Sequence, residues 1–222
     1  MRAAVGIFTH MGWVTAVTVV ASDQFIKVVR TERIDTGDAG DREAIEPYHV
    51  AAGFRGLDRV PPPPDPQSVI RRGLKKQQRH TLGNLRKLLG AMSDLGFEIA
   101  DAAILAGRGK LAASLDKVLA SHAQIHIAEG NAVRQAVDAS LKRLDVRVAW
   151  LDQKSLFEKA HEILALDEDE LTTTIELFSS FRTMNPVARN KSRHVVTTPP
   201  FFWPRFGGVA ALAKIDRRVA VR

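Results

Sequence analysis

Three β-rich runs stand back to back at the start of the chain: Ala3 to Thr9 (AAVGIFT), Trp13 to Ala21 (WVTAVTVVA) and Phe25 to Ile34 (FIKVVRTERI). Only His10-Met11-Gly12 and Ser22-Asp23-Gln24 separate them. Connections this short join antiparallel neighbours, because a parallel crossover needs roughly a dozen residues or more. The chain is therefore expected to open as a three-stranded meander. Reading Met11 to Ala21 as a secretory leader fits the chemistry less well. Val14, Thr15, Val17, Thr18, Val19 and Val20 are β-branched and interleaved with threonine, and Gly6 and His10 precede them where a leader carries a short basic patch. No other apolar run reaches the roughly 18 residues that span a bilayer. A cytoplasmic protein without a membrane partner is the expectation.

Beyond the meander, helical and strand patterns alternate. Thr36 to Pro66 is rich in Gly, Asp and Pro, with Pro61 to Pro64 as a polyproline II stretch, and reads as a long loop with one interior feature, Pro47-Tyr48-His49. Ile70, Leu74, Leu82, Leu85, Leu88, Leu89 and Met92 then recur at helical spacing across Pro66 to Leu95. Ile99 to Ala106 reads as a short buried strand ending at Gly107-Arg108-Gly109, Leu115 to Leu144 as a second long helix and Val146 to Leu151 as a fifth strand. Lys154 to Leu164 and Asp169 to Phe181 complete the pattern as shorter helices, with the acids Asp167 to Glu170 suiting a helix amino terminus. The order β-β-β-α-β-α-β-α predicts an α/β fold with one mixed sheet, covered by helices through right-handed crossovers.

Charge divides the chain in two. The net +7 belongs wholly to residues 183 to 222, which hold eight basic residues against the single acid Asp216, whereas residues 1 to 182 hold 24 of each sign. A single domain over 1–182 with a basic, poorly ordered tail over 183–222 is the expected organisation. With zero cysteines, disulfides, cysteine nucleophiles and cysteine-ligated metals are excluded. Within the neutral body, Arg71, Arg72, Lys75, Lys76, Arg79, Arg86 and Lys87 line the polar side of the first long helix, with no acid between Gln67 and Ser93. That basic face is either a solvated surface balanced by acids elsewhere or a surface for nucleic acid. Exposed edges of a mixed sheet leave room for a homodimer.

The element order resembles the ribonuclease H-like superfamily. More locally, Thr9-His10-Met11-Gly12-Trp13, Pro47-Tyr48-His49 and Ser121-His122-Ala123-Gln124-Ile125-His126-Ile127-Ala128-Glu129-Gly130 resemble an uncharacterised bacterial family with a Ser-His-Ala, His, Ala-Glu-Gly signature. The superfamily resemblance implies a site at the carboxyl ends of the first and fourth strands. Its active members place an acid on the first strand, with further acids near the fourth strand and the last helix, to hold two divalent ions. Here Phe8, Thr9, His10 and Ile104, Leu105, Ala106 occupy the strand ends, and only Glu129, Asp152 and Glu158 stand nearby in that topology. Two-magnesium nuclease chemistry is therefore not expected.

His122, His126 and Glu129 fall at i, i+4 and i+7, on one helical face shared with Leu115, Leu119, Val133, Ala136 and Ser140. Two imidazoles and a carboxylate aimed into a fold need partners. The spacing supports a divalent transition metal held by His122, His126 and Glu129, or an acid-base cluster with Glu129 orienting a histidine. Histidines bonded to backbone are the plainer alternative. The resemblance adds His10 at the end of the first strand, facing His122, so that the catalytic candidates are His10, His122, His126 and Glu129. His49, in a loop long enough to fold over that edge, is a further member of the site, with Trp13 and Tyr48 as its expected walls. Arg108 is an expected contact to an anionic substrate, and Arg134 either pairs with Glu129 or holds the anion. The chain is expected to be an enzyme acting on a small anionic or phosphoester substrate, or else a noncatalytic anion- or nucleotide-binding module.

Overall fold

The computed structural model describes residues 1–21, 26–56, 58–107, 109–152 and 158. The turn at Ser22 to Gln24, Arg108, the helices expected over 154–164 and 169–181 and the tail over 183–222 lie outside the described residues, Glu158 apart.

Strands β1 (Arg2–His10), β2 (Trp13–Ala21) and β3 (Ile26–Asp35) form the antiparallel meander. Helices α1 (Arg42–Ile45) and α2 (Pro47–Ala51) come next, then a small hairpin of β4 (Phe54–Arg55) and β5 (Asp58–Arg59). Helix α3 (Pro66–Asp94) leads to β6 (Glu98–Ala106), and α4 (Leu115–Leu119) and α5 (His122–Arg143) lead to β7 (Arg147–Asp152). Both β6 and β7 join the sheet in parallel, giving the order β3-β2-β1-β6-β7. Three antiparallel strands, then two parallel ones reached through helices, make the ribonuclease H-like mixed sheet that the element order predicts.

The pleat sorts the side chains. Ala3, Val5 and Ile7 of β1 point to one face with Val14, Ala16, Ile34 and Ile104, where Leu85, Leu88 and Met92 of α3 and Val133, Val137 and Leu141 of α5 close the main core. Phe8, Ala103, Leu105 and Leu151 alternate with these and form a smaller cluster on the opposite face. Thr9 thus shares a face with α5, and His10 does not.

Two expectations need correction. The segment 36–66 is not a plain loop but carries α1, α2 and the β4–β5 hairpin. Asp41 caps α1, its carboxylate accepting from the Ala44 N–H, and Pro47 opens α2 at a position where its missing N–H costs nothing. Nor is Leu115 to Leu144 one helix. Ser121 takes an extended conformation (φ −124, ψ 116) and its hydroxyl accepts from the Gln124 N–H, so α4 stops and α5 starts anew at His122. A serine at that place competes for the backbone and starts a helix more readily than it continues one.

The α1–α2 unit lies tight against α3. Buried Gln77 donates from Nε2 to the Ala44 carbonyl at 3.1 Å. At Gly73 a Cβ would overlap the Glu43 carbonyl oxygen and stand 2.6 Å from Pro47 Cβ. Glycine is the residue that allows this approach. Gly73→Ala is expected to lower stability by about 1–3 kcal/mol through overpacking, despite the better helix propensity of alanine. Urea unfolding of the variant beside the parent checks this.

Candidate functional site

Helix α2 begins against α5, and the contact is made by one carboxylate. Glu129, 1% exposed, accepts through Oε1 from the backbone N–H of Tyr48 at 2.7 Å and of His49 at 3.1 Å. Glu46, the local cap residue of α2, makes no side-chain cap bond, so Glu129 serves α2 from another helix. The His49 ring sits in the same place, its Nδ1 3.4 Å from Glu129 Oε1. Burial raises the Glu129 pKa above the ordinary carboxylate range, and the His49 ring and the two N–H donors oppose that rise. Burial also raises the Tyr48 phenol, with the Glu129 charge acting the same way.

His49 brings its imidazole to the two on α5. Ring centroids are 5.4 Å apart for His49 and His122, 4.9 Å for His49 and His126, and 4.4 Å for His122 and His126. One nitrogen from each ring lies within 4.8 Å of the other two, a spacing that a single cation can draw together. His49 is buried, whereas His122 and His126 are exposed. Phe54 of β4 covers the group from one side, stacked on His122 at 5.0 Å and edge-on to His49 at 5.6 Å, with Arg59 4.5 Å above the Phe54 ring. Burial, followed by the neighbouring charges of His49 and His122, lowers the His126 pKa.

The three residues expected on one face, His122, His126 and Glu129, take different places in this geometry. His122 and His126 do share a face, but that face turns to an open crevice instead of the apolar core. Glu129 is not a third ligand beside them; it lies behind His49, and His49 takes the place expected for it. The helix period put all three on one stripe, but it could not show that α2 docks on that stripe and takes the deepest residue for itself. Tyr48 contributes its backbone N–H, while its ring packs in the apolar group of Ala51, Val69, Ile70, Leu115 and Leu119. Phe54 is a wall that the sequence reading missed. Its one signal was an aromatic between Gly53 and Gly56, both at positive φ (77° and 63°), as the turns of a small hairpin require.

His10 and Trp13 are elsewhere. They are register partners across the β1–β2 turn, with rings stacked at 3.7 Å and 10°. Phe8 meets His10 edge-on at 4.8 Å, and the Arg33 guanidinium lies 4.6 Å over Trp13. The pleat directs His10 to the face opposite Thr9, away from the face that α5 covers. Desolvation first, and Arg33 second, lower the His10 pKa from 6.5 to about 4.

A cleft of about 330 Å³ opens at the carboxyl ends of β1 and β6, lined by Thr9, Gly107, Gly109, His126, Gly130 and Arg134 among others. Arg134 does not pair with Glu129; it donates to Thr9 Oγ1 at 3.2 Å and to Asn131 Oδ1 at 2.9 Å. A Cβ on Gly107 would overlap its guanidinium, and one on Gly109 would stand 2.5 Å from Ile127, so both glycines make room for α5. On the basic face of α3, Arg72 pairs with Glu43 at 3.1 Å and Lys76 with Asp41 at 2.9 Å, as a balanced surface requires. Arg71, Lys75 and Arg79 stay exposed.

No family model matches the chain, and no curated protein does. Among solved structures it is similar to RuvC of Thermus thermophilus in complex with a Holliday junction substrate (8% identity over 98% of this chain and 96% of that chain, TM-score 0.49). It is also similar to the Thermus thermophilus RuvC structure (8%, with the same coverage, TM-score 0.45) and to an exopolyphosphatase from Cytophaga hutchinsonii (10% over 71% of this chain and 36% of that chain, TM-score 0.28).

This geometry carries two expected outcomes. Glu129→Gln puts an amide where the carboxylate accepts two N–H groups, and is expected to cost about 1–3 kcal/mol and to loosen α2. Hydrogen exchange at Tyr48 and His49, faster in the variant than in the parent, reports it. The folded His10 ring ionises near 4 and the unfolded ring near 6.5, so its neutral form favours the folded state above pH 6.5 and that advantage fades as pH falls toward 4. Allowing for solvent screening of a half-buried ring, His10→Phe is expected to remove on the order of 1 kcal/mol of this acid sensitivity, read as a smaller drop in urea midpoint on acidification.

Proposed function

We propose that the chain is an enzyme that processes a small anionic or phosphoester substrate at the His49, His122 and His126 cluster, by metal-assisted or acid-base chemistry. The observation that carries this reading is the cluster itself: three imidazole nitrogens within 4.8 Å, one ring backed by a buried carboxylate. Imidazoles without carboxylates among the ligands suit zinc, or a neighbouring first-row divalent ion, better than magnesium. Bound there, such an ion would lower the pKa of a water or polarise a substrate oxygen.

The chain's own groups have separable tasks. Glu129 Oε1 stands 3.4 Å from Nδ1 of His49, where a carboxylate would favour a proton on that nitrogen and leave Nε2 as the lone-pair atom. The lowered pKa of His126 keeps that ring neutral near pH 7, ready to accept a proton or to ligate. Phe54 and the hairpin that carries it keep water from one side of the rings. Among the described residues no other group of three histidines or carboxylates comes together, which supports assigning the chemistry to this one.

Elemental analysis of untagged full-length protein tests the reading. Near-stoichiometric divalent metal is expected in the parent and in His10→Ala, and its loss in His49→Ala and in the His122→Ala, His126→Ala double variant. A parent free of metal after incubation with zinc would overturn the metal form of the proposal. Chemistry would then rest on His126 as the base.

A further inference from the structure

The Arg134 guanidinium is placed as a receptor for a charge the described structure does not supply. It is half-buried at the rim of the 330 Å³ cleft, and no carboxylate among the described residues pairs with it. Its neighbours, Thr9 Oγ1 and Asn131 Oδ1, are neutral acceptors that take two of the five guanidinium N–H groups and fix its plane. The Thr9 hydroxyl, having accepted from Arg134, keeps its own proton to donate.

The surroundings are shaped around this group. Gly107 has no side chain because the guanidinium lies where one would be, and at Gly130 a Cβ would stand 3.1 Å from Nη2. That second contact locates the guanidinium along α5. Although Arg134 is eight residues beyond His126, about 12 Å of helix rise, its side chain reaches back to the level of Gly130, about one turn from His126. His126 and Arg134 line the same cleft.

We infer that Arg134, with the Thr9 hydroxyl, is the seat for the oxyanion of a small substrate, a terminal phosphate or carboxylate, whose adjoining group then reaches the imidazole cluster one helical turn away. The inference rests on the enzymatic reading of the cluster and supplies the substrate end of that site. A cleft of this volume takes a molecule of metabolite size. Guanidinium and hydroxyl together offer the forked, charge-assisted donors that a phosphate or carboxylate matches.

The test uses full-length protein titrated with inorganic phosphate and, in parallel, with acetate, followed by calorimetry and by the shift in unfolding temperature. Saturable binding of one of the two is expected. It should weaken about tenfold or more in Arg134→Gln and recover in part in Arg134→Lys. Gly107→Ala keeps every charge but sets a methyl group against the guanidinium, and should weaken binding as well. Tighter phosphate identifies a phosphomonoester end, tighter acetate a carboxylate end. Metal content is read on the same parent and Arg134→Gln samples, so that loss of the anion and loss of the metal are scored separately. With manganese added to the parent, broadening of the phosphate phosphorus resonance that the double histidine variant lacks would join the two sites. Equal anion affinity in parent, Arg134→Gln and Gly107→Ala, or no binding by the parent at millimolar concentrations, overturns the inference.

Discussion

One buried carboxylate holds the site together. Glu129 accepts the first free N–H groups of α2 through a single oxygen that also lies 3.4 Å from the His49 ring nitrogen, and it does so from a helix packed on the sheet. A five-residue helix has almost no stability of its own. Here its amino terminus is satisfied by a side chain 81 residues away in sequence, its body lies over Gly73 of α3, and the hairpin after it lays Phe54 on the rings. Without that carboxylate, His122 and His126 would be two exposed histidines on a helix. With it, a third imidazole is added at a fixed distance and the group becomes a pocket with a floor.

The division between what the sequence told and what it withheld tracks the range of the forces involved. The meander was legible because β-branched runs and three-residue turns are local signals, and the two parallel strands because a long helical period sits between them. The pairing of His122 with His126 was legible for the same reason: four residues on a helix make one turn. The partner of Glu129 was not, since nothing in a helical period says which distant backbone will need an acceptor. His10 went astray by one step of the strand pleat. Thr9 faces α5 and His10 faces away, a parity that depends on which side of the sheet the helices cover. The stretch 36–66 was misread because its helices are too short to show a period, and capping by Asp41 and Glu129 makes up for what their sequences lack.

The chemistry also separates from the architecture. A ribonuclease H-like sheet brings the ends of β1 and β6 together at one edge, and that edge is open here as a cleft. Threonine, glycines and an arginine line that cleft, with His126 of α5 beside them. The charge at this edge is that of Arg134, which lines the cleft beside Thr9 and the two glycines. Gly107 lets that arginine of the neighbouring helix lie against the strand end, and Gly109 leaves room for Ile127 of the same helix.

The distance along the chain between His49 and its α5 partners has a thermodynamic meaning of its own. Tying positions 80 residues apart closes a large loop, whose entropic cost grows only slowly with length but must be met before any contact within it forms. An ion shared by His49 and His126 would act as a removable cross-link between the two halves of the fold, absent from the unfolded chain and present only once both are docked. Occupancy and folding would then be a single equilibrium, in which each drives the other by mass action.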